Sequence, residues 1–474
     1  MRRIFSLLLI IFLVASSTSI TLTKAQGRTI IVPDNYSTIQ SAIANAVNGD
    51  TIFFRDGTYE GPINQTLVID KQLSIVGQSA DNTVIKLRPA YNESWIFATA
   101  FYDYSDAIAI NADNFKLYNL KILIQNPGGT ISAKGNGLQI IGTNITTGPS
   151  TGIEITGSYC KVINNTIFGS VTINGTFNEV AGNSPLNYIY TYSSFNLIRN
   201  NTCGVLGVCN STNNVFLANK MWTNTRSYSG VDIIWSNYNF FYKNQISGYS
   251  SGFRFWFSNG NIIVGNTVAD SLTSLNFGGS SGNMIHHNNF IDNPSWVREY
   301  IVDQYRDRNF RNAYPNVTVS VNTWDNGLNG NFWGNYNGTD SNGDGVGDTP
   351  YIINVISYDL NQSKTEIFCG QDNFPFMSMV NIDNIAIDLP AWVSNLPPDN
   401  QTIDLQIPPT LKETDSATPA MNPSVELPTT SIQQEPKSNK ENHTMTVAMV
   451  FAALTCVIAG LSVYFRKYKP VRTA

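Results

Sequence analysis

The chain has 474 residues, a formal net charge of −5 and only 13% charged residues. With 42% hydrophobic and 12% aromatic residues it is too apolar for a disordered chain, and it lacks the basic concentration that a nucleic-acid partner requires. Five cysteines are too few for a disulfide scaffold.

Met1-Arg2-Arg3 and the apolar run Ile4–Val14 read as a secretory signal, cleaved after Thr23-Lys24-Ala25, so residues 1–25 are assigned to it. Residues 26–50 form the expected N-terminal cap. Over Thr38–Val47, the residues Ile39, Ile43, Ala46 and Val47 share one helical face, which would cover the open end of a stack of strands. Asp50–Tyr59, Leu67–Ile69 and Leu73–Gly77 follow as strands and turns.

From Asn114 to Asn288 one pattern recurs: Asn, two mostly apolar residues, two variable ones, Asn. Its second Asn falls at Asn119, Asn165, Asn183, Asn201, Asn219, Asn244, Asn266 and Asn288. After a first interval of 46, twice 23, the intervals run from 18 to 25 residues, and such periods mean a solenoid, each coil burying its apolar face only against its neighbours. Two residues after the first Asn come Val162, Val180, Ile198, Phe216, Phe241, Ile263 and Ile285. Seven after it come Ile167, Cys203, Met221, Ile246, Val268 and Phe290, interrupted at Pro185. A third apolar column reads Thr172, Tyr190, Val208, Ile233, Phe255 and Phe277. Such alternation is that of short strands with one face inward, and no window holds a helical stripe. The fold expected over residues 51–325 is therefore an all-β, single-stranded parallel β-helix of about twelve coils, a rod of roughly 60 Å at ~4.8 Å per coil. The recurring Asn side chains are expected to bond coil to coil as a structural ladder. Cys203 and Cys209 either bridge within a coil or stay buried thiols.

Thr38-Ile39-Gln40-Ser41-Ala42-Ile43, Gly49-Asp50-Thr51-Ile52 and Gly57-Thr58-Tyr59 resemble the opening of pectin-lyase-like right-handed β-helix proteins. The Asn-x4-Asn coils are similar to repeats of the NosD-type family found in archaeal surface proteins. Asn322-Thr323-Trp324-Asp325, Gly330-Asn331-Phe332-Trp333 and Gly347-Asp348-Thr349-Pro350-Tyr351 resemble that family's closing block, assigned here to residues 326–380. The resemblance implies a right-handed coil and, through the NosD name, a copper role. Copper needs clustered His, Met or Cys, and only Met284, His286 and His287 come together, with His287 expected to point away.

Three stretches carry candidate chemistry. Asp340, Asn342, Asp344, the Val346 carbonyl and Asp348 have the spacing of a calcium loop, with Gly345 at the sharp turn. Tyr351 stands where a further acid is usual, so a sixth oxygen would come from Asp325, Asp359, Asp372 or water. Asp232, Arg254 and Asn276 are spaced by 22 and should stack outward beside Ile234, Trp256 and Gly278. Trp256 flanked by Arg254 and Asp232 suits stacking on a sugar ring and bonding its hydroxyls. Lastly, Trp296–Pro315 interrupts the coils with the densest charge on the rod, including Asp303, Arg306 and Asp307. Trp296, Val297, Tyr300 and Ile301 suggest a helical turn. Its acids could serve a hydrolase or lyase, yet the coils carry no catalytic signature of either, and a salt-bridged solvated helix is the alternative.

Residues 390–442, rich in Pro, Ser, Thr and Gln, read as an extended stalk. Residues 445–465 are uncharged and long enough to cross a bilayer as one helix. The basic tail 466–474 then places the rest outside the cell. Thirteen Asn-x-Ser/Thr sequons fall in that outer part, so a glycoprotein is expected, with Asn164 and Asn200 in tight bends. The function expected is non-catalytic glycan binding at the cell surface. A lyase, hydrolase or epimerase is the second reading and copper handling the third.

Overall fold

The computed structural model describes residues 27–96, 99–125, 128–148, 152–299, 319–358 and 364–397. The secretory signal, residues 300–318 of the charged insertion, residues 398–442 of the stalk and the segment 445–465 lie outside them. Among the described residues no helix is long and apolar enough to cross a membrane. Two compact units are distinguished, residues 1–385 and 386–474. The described part of the second is short and holds one 3-10 turn, Val393–Asn395.

The first unit is a parallel β-solenoid of right-handed type with about eleven turns, against the twelve expected. Its first face is one sheet of twelve parallel strands, running from Thr29–Val32 to Met284–His286. The second and third faces join through the long strand Thr202–Cys209, because the shortest coils leave no residues for a corner there. The inward columns are those of the sequence for the first two faces: Val162, Ile198, Phe216, Ile263 and Phe290 are all fully buried in one continuous core. On the third face the inward column is Ile173, Thr191, Val208, Ile233, Phe255 and Phe277. Thr172 and Tyr190 belong instead to the outward column. Coils of unequal length shift the count by one residue, and one residue turns a strand side chain to the opposite face.

The Asn residues form the expected ladder, and it is double. In the second column each side-chain oxygen takes both the backbone N–H and the side-chain amide of the Asn one coil earlier. Asn219 Oδ1, for example, accepts from Asn201 N and Nδ2 at 3.0 Å each. Asn219 Nδ2 donates to the Ile198 carbonyl at 2.9 Å and to Asn244 Oδ1 at 3.0 Å. Asn164 and Asn200 occupy the left-handed bends between the first two faces, as expected. At the corner between third and first faces Tyr159, Phe177 and Phe195 hold left-handed geometry, which costs a bulky residue strain. Their rings stack at 5.3 Å centroid spacing, covering one another's faces and offsetting that strain.

The cap helix is shorter than expected, Ile39–Asn45, with Thr38 Oγ1 accepting from Ser41 N. Ile39, Ala42 and Ile43 pack on the rod, whereas Val47 lies beyond the helix and is exposed. At the other end the rod is closed by Trp324, Trp333 and the antiparallel pair Tyr351–Tyr358 and Lys364–Asp372. Asp372 ends the Asn ladder: its Oδ2 accepts from Asn331 N at 2.7 Å and from Trp333 Nε1 at 2.9 Å. Burial pushes its carboxyl up to about 6 despite those donors.

One further expectation is corrected, and one pair of alternatives is decided. The insertion does not begin as a helical turn, because Ser295–Glu299 is a strand continuing the third face in register with Thr273–Gly278. Cys203 and Cys209 form no bridge, and both are buried free thiols. Cys203 points into the core and Cys209 stands in the outward column with Ile234 and Trp256, on opposite sides of one strand.

Candidate glycan-binding face

The outer side of the third face is built from the strands Leu186–Thr191, Thr202–Cys209, Ser229–Ile234, Ser251–Trp256, Thr273–Gly278 and Ser295–Glu299. Since Ile233, Phe255 and Phe277 point inward, their neighbours Asp232, Arg254 and Asn276 point outward and stack in register, followed by Arg298. Arg254 Nη2 donates to Asp232 Oδ2 at 2.7 Å. The column is outward as expected and its members differ in exposure: Asp232 is 7% exposed and Asn276 only 2%, whereas the Arg254 side chain is 36% exposed and Arg298 is open to solvent. Asn276 Nδ2 donates to Ser251 Oγ at 3.2 Å. Asp232 Oδ1 and Asn276 Oδ1 accept no hydrogen bond within the protein.

Trp256 is half-buried, and its ring lies over Gly278 of the next coil, where an added Cβ would sit 2.7 Å from the indole. Gly207 yields its outer surface to the Tyr190 ring in the same way. Tyr188, Tyr190 and Tyr192 form a cluster with centroids 5.4 and 6.2 Å apart. Flat rings laid on glycine beside shielded polar groups are what a sugar-binding strip needs. The tyrosines escaped sequence reasoning because their coil is one of the short ones, where the face of each residue was miscounted.

The other candidate residues fall elsewhere. In the loop Asp340–Asp348, Asp340 accepts from Gly343 N at 2.7 Å and Gly345 N at 2.9 Å. Asp348 Oδ2 accepts from Ser341 N at 2.7 Å, and the Ser341 side chain together with this backbone bond holds its carboxyl below the usual range. Asn342 Nδ2 donates to Asp344 Oδ2 at 2.9 Å, and Asp344 Oδ1 accepts from Val346 N. The donors are the hard oxygens that calcium prefers, but among the described residues no three acidic, His or Cys side chains converge on one point. Asp325 and Asp372 supply no sixth ligand: Asp325 Oδ2 is taken by Asn373 and Asp372 closes the ladder. Asp359 lies outside the described residues, as do Asp303, Arg306 and Asp307.

His287 does not point away from His286. It occupies a left-handed bend, which swings its ring back until the two Nδ1 atoms lie 2.7 Å apart. Burial, reinforced by His287, pushes His286 down to about 4, so the pair is neutral at physiological pH. Met284 is 40% exposed and outside this contact. A charged cluster that the sequence did not announce lies on the outer first face, where Glu179 accepts from Arg199 Nε at 2.7 Å and pairs with buried Lys161 at 3.4 Å.

No protein-family model matches the chain, and no curated protein does. Solved structures are similar in the course of the chain. The A-module of the mannuronan C-5 epimerase AlgE6 from Azotobacter vinelandii is 12% identical, covers 55% of this chain and 90% of its own, and has a TM-score of 0.37. A PL6 alginate lyase in complex with a trisaccharide is 10% identical, covering 59% and 85%, with a TM-score of 0.37. Pectate lyase Pel9A is 12% identical, covering 67% and 95%, with a TM-score of 0.33.

Proposed function

We propose that this chain is a cell-surface protein whose outer third face binds a glycan without transforming it. The observation that carries this reading is shielded Asp232, paired with the half-exposed Arg254, on one outer face with the glycine-laid rings of Tyr190 and Trp256. Buried polar groups on the outside of a rod cost free energy unless something uses them. The signal at residues 1–25, the stalk 390–442 and the apolar segment 445–465 support a rod held outside a membrane, and the closing block supports kinship with NosD-type proteins. In a panel of polysaccharides, Trp256→Ala is expected to lower affinity at least about tenfold with an unchanged far-UV spectrum. Intact binding in that variant would remove the site from this face. If product appears in the same panel and vanishes in Asp303→Asn or Asp307→Asn, the enzymatic reading replaces this one.

Calcium is part of the proposal, held by Asp340, Asn342, Asp344, the Val346 carbonyl and Asp348 and stiffening the closing block. At a calcium concentration ten times the dissociation constant, stabilisation of about 1.4 kcal/mol is expected, removed by EDTA and absent in Asp344→Ala. A melting temperature indifferent to both calcium and EDTA would exclude the ion.

A further inference from the structure

We infer that a second glycan-binding strip runs along the outer second face, with Phe168 and Trp222 as its stacking rings. It takes its ligand class from the reading of the third face but shares no residue with that site. The strands Thr166–Phe168 and Lys220–Trp222 have the same exposed–buried–exposed alternation, since Ile167 and Met221 point into the core and turn their neighbours outward. Trp222 is 66% exposed and Phe168 54%. They stand three 18-residue coils apart, roughly 14 Å at ~4.8 Å per coil.

Between the two rings the outer surface is low. The coil after Phe168 contributes exposed Pro185, beside Ser184, which bridges to Thr166. The next contributes Gly204, which follows Cys203 in register with Met221 and so stands beside Trp222 with no side chain to close the gap. Alongside runs a second column, Thr166, Ser184, Thr202 and Lys220, three hydroxyls and an ammonium. Thr166, Ser184 and Lys220 are exposed and Thr202 is half-buried. A linear glycan offers C–H faces at intervals and hydroxyls along its edges. Rings held at a fixed spacing by the rod take the first, and the polar column takes the second. A protein partner fits less well, because protein hot spots gather apolar side chains at one centre. Here the rings are set apart by a low floor and bordered by polar groups. The strand Thr202–Cys209 carries that floor from Gly204 to Gly207 on the third face with no corner between, so both sites lie on one continuous outer surface.

A disaccharide is too short to reach both rings, whereas a hexasaccharide reaches them together and gains from the second contact. The test is calorimetry of the detergent-solubilised full chain with disaccharides and hexasaccharides of linear glucose, mannose and mannuronate polymers. In the series that binds, the hexasaccharide is expected to be at least about tenfold tighter than the disaccharide, and Phe168→Ala or Trp222→Ala is expected to remove that gain. Trp222→Phe, which keeps a stacking surface, is expected to retain most of it. Both rings are exposed, so the Ala variants are expected to keep the parent's melting temperature. Binding that remains in Trp256→Ala is expected to show the same dependence on Trp222, which separates this strip from the third-face site. Hexasaccharide affinity unchanged in both Phe168→Ala and Trp222→Ala would overturn the strip and leave the third face as the glycan site. A panel in which nothing binds would overturn it too, and loss of self-association in Trp222→Ala, read by sedimentation, would then identify the strip as a contact between copies.

Discussion

Asn219→Ala is expected to destabilise the rod by about 4 kcal/mol, since it strips four hydrogen bonds from a fully buried rung. The loss exceeds that of a simple side-chain truncation because the Asn201 backbone N–H and one Asn201 amide hydrogen lose their shielded acceptor and the Ile198 carbonyl loses a donor, although Asn201 Nδ2 keeps the Val180 carbonyl and Asn244 Oδ1 keeps the Asn219 backbone N–H. Asn219→Asp separates the roles of the two amide atoms. It keeps the oxygen for Asn201 but turns the donor into a second acceptor facing Ile198 O and Asn244 Oδ1, with a charge besides. At neutral pH it should cost at least as much as the Ala variant. Acidification should recover part of the loss, since a protonated carboxyl again donates one bond. Denaturant midpoints of the three proteins at two pH values decide it. A loss in Asn219→Ala below about 1 kcal/mol would mean that core packing carries the stack and the ladder merely accompanies it.

The second large effect belongs to Glu299. Its side chain points into the end of the core, in register with Phe277, and is 2% exposed. Burial pushes its carboxyl up from 4.5 to about 7, although Ser320 Oγ donates to Oε1 at 2.8 Å. A carboxyl whose folded value lies above its unfolded one stabilises fully below pH 4.5 and loses that contribution as pH rises through 7. The difference amounts to about 3 kcal/mol by pH 8, at 1.36 kcal/mol per unit. Asp372 acts in the same direction up to about 6, whereas His286, depressed to about 4, acts oppositely because its protonation in the unfolded chain penalises the fold at low pH. The raw pH profile therefore mixes signs, and the informative quantity is the difference between Glu299→Gln and the parent. That difference should favour the Gln variant by under about 1 kcal/mol at pH 5 and by about 3 kcal/mol at pH 8. A difference that does not change with pH would show that Glu299 titrates normally.

The solenoid was legible because its physics is periodic. A coil buries nothing by itself, so inward positions such as Ile198, Phe216 and Ile263 must repeat, and any buried Asn must find its partner in the equivalent Asn one coil away. Thr38, Ile39 and Ile43 announced the cap for the same local reason, an N-cap followed by an apolar helical face. The spacing of 22 likewise brought Asp232, Arg254 and Asn276 together.

Only the tertiary structure decided what depends on corners and on neighbours far along the chain. Tyr190 turned outward, and the tyrosine cluster joined the candidate face, because a shortened coil moved the count by one residue. Glu299, in the densely charged stretch Trp296–Pro315, is a core acid because its strand continues the third face instead of winding into a helix. His287 met His286 through a left-handed bend that no pattern of residue types encodes. Spacing along a sequence determines which residues share a column. Whether a column's polar atoms are paired, shielded or left for a ligand is set by distances across coils, which only the folded chain contains.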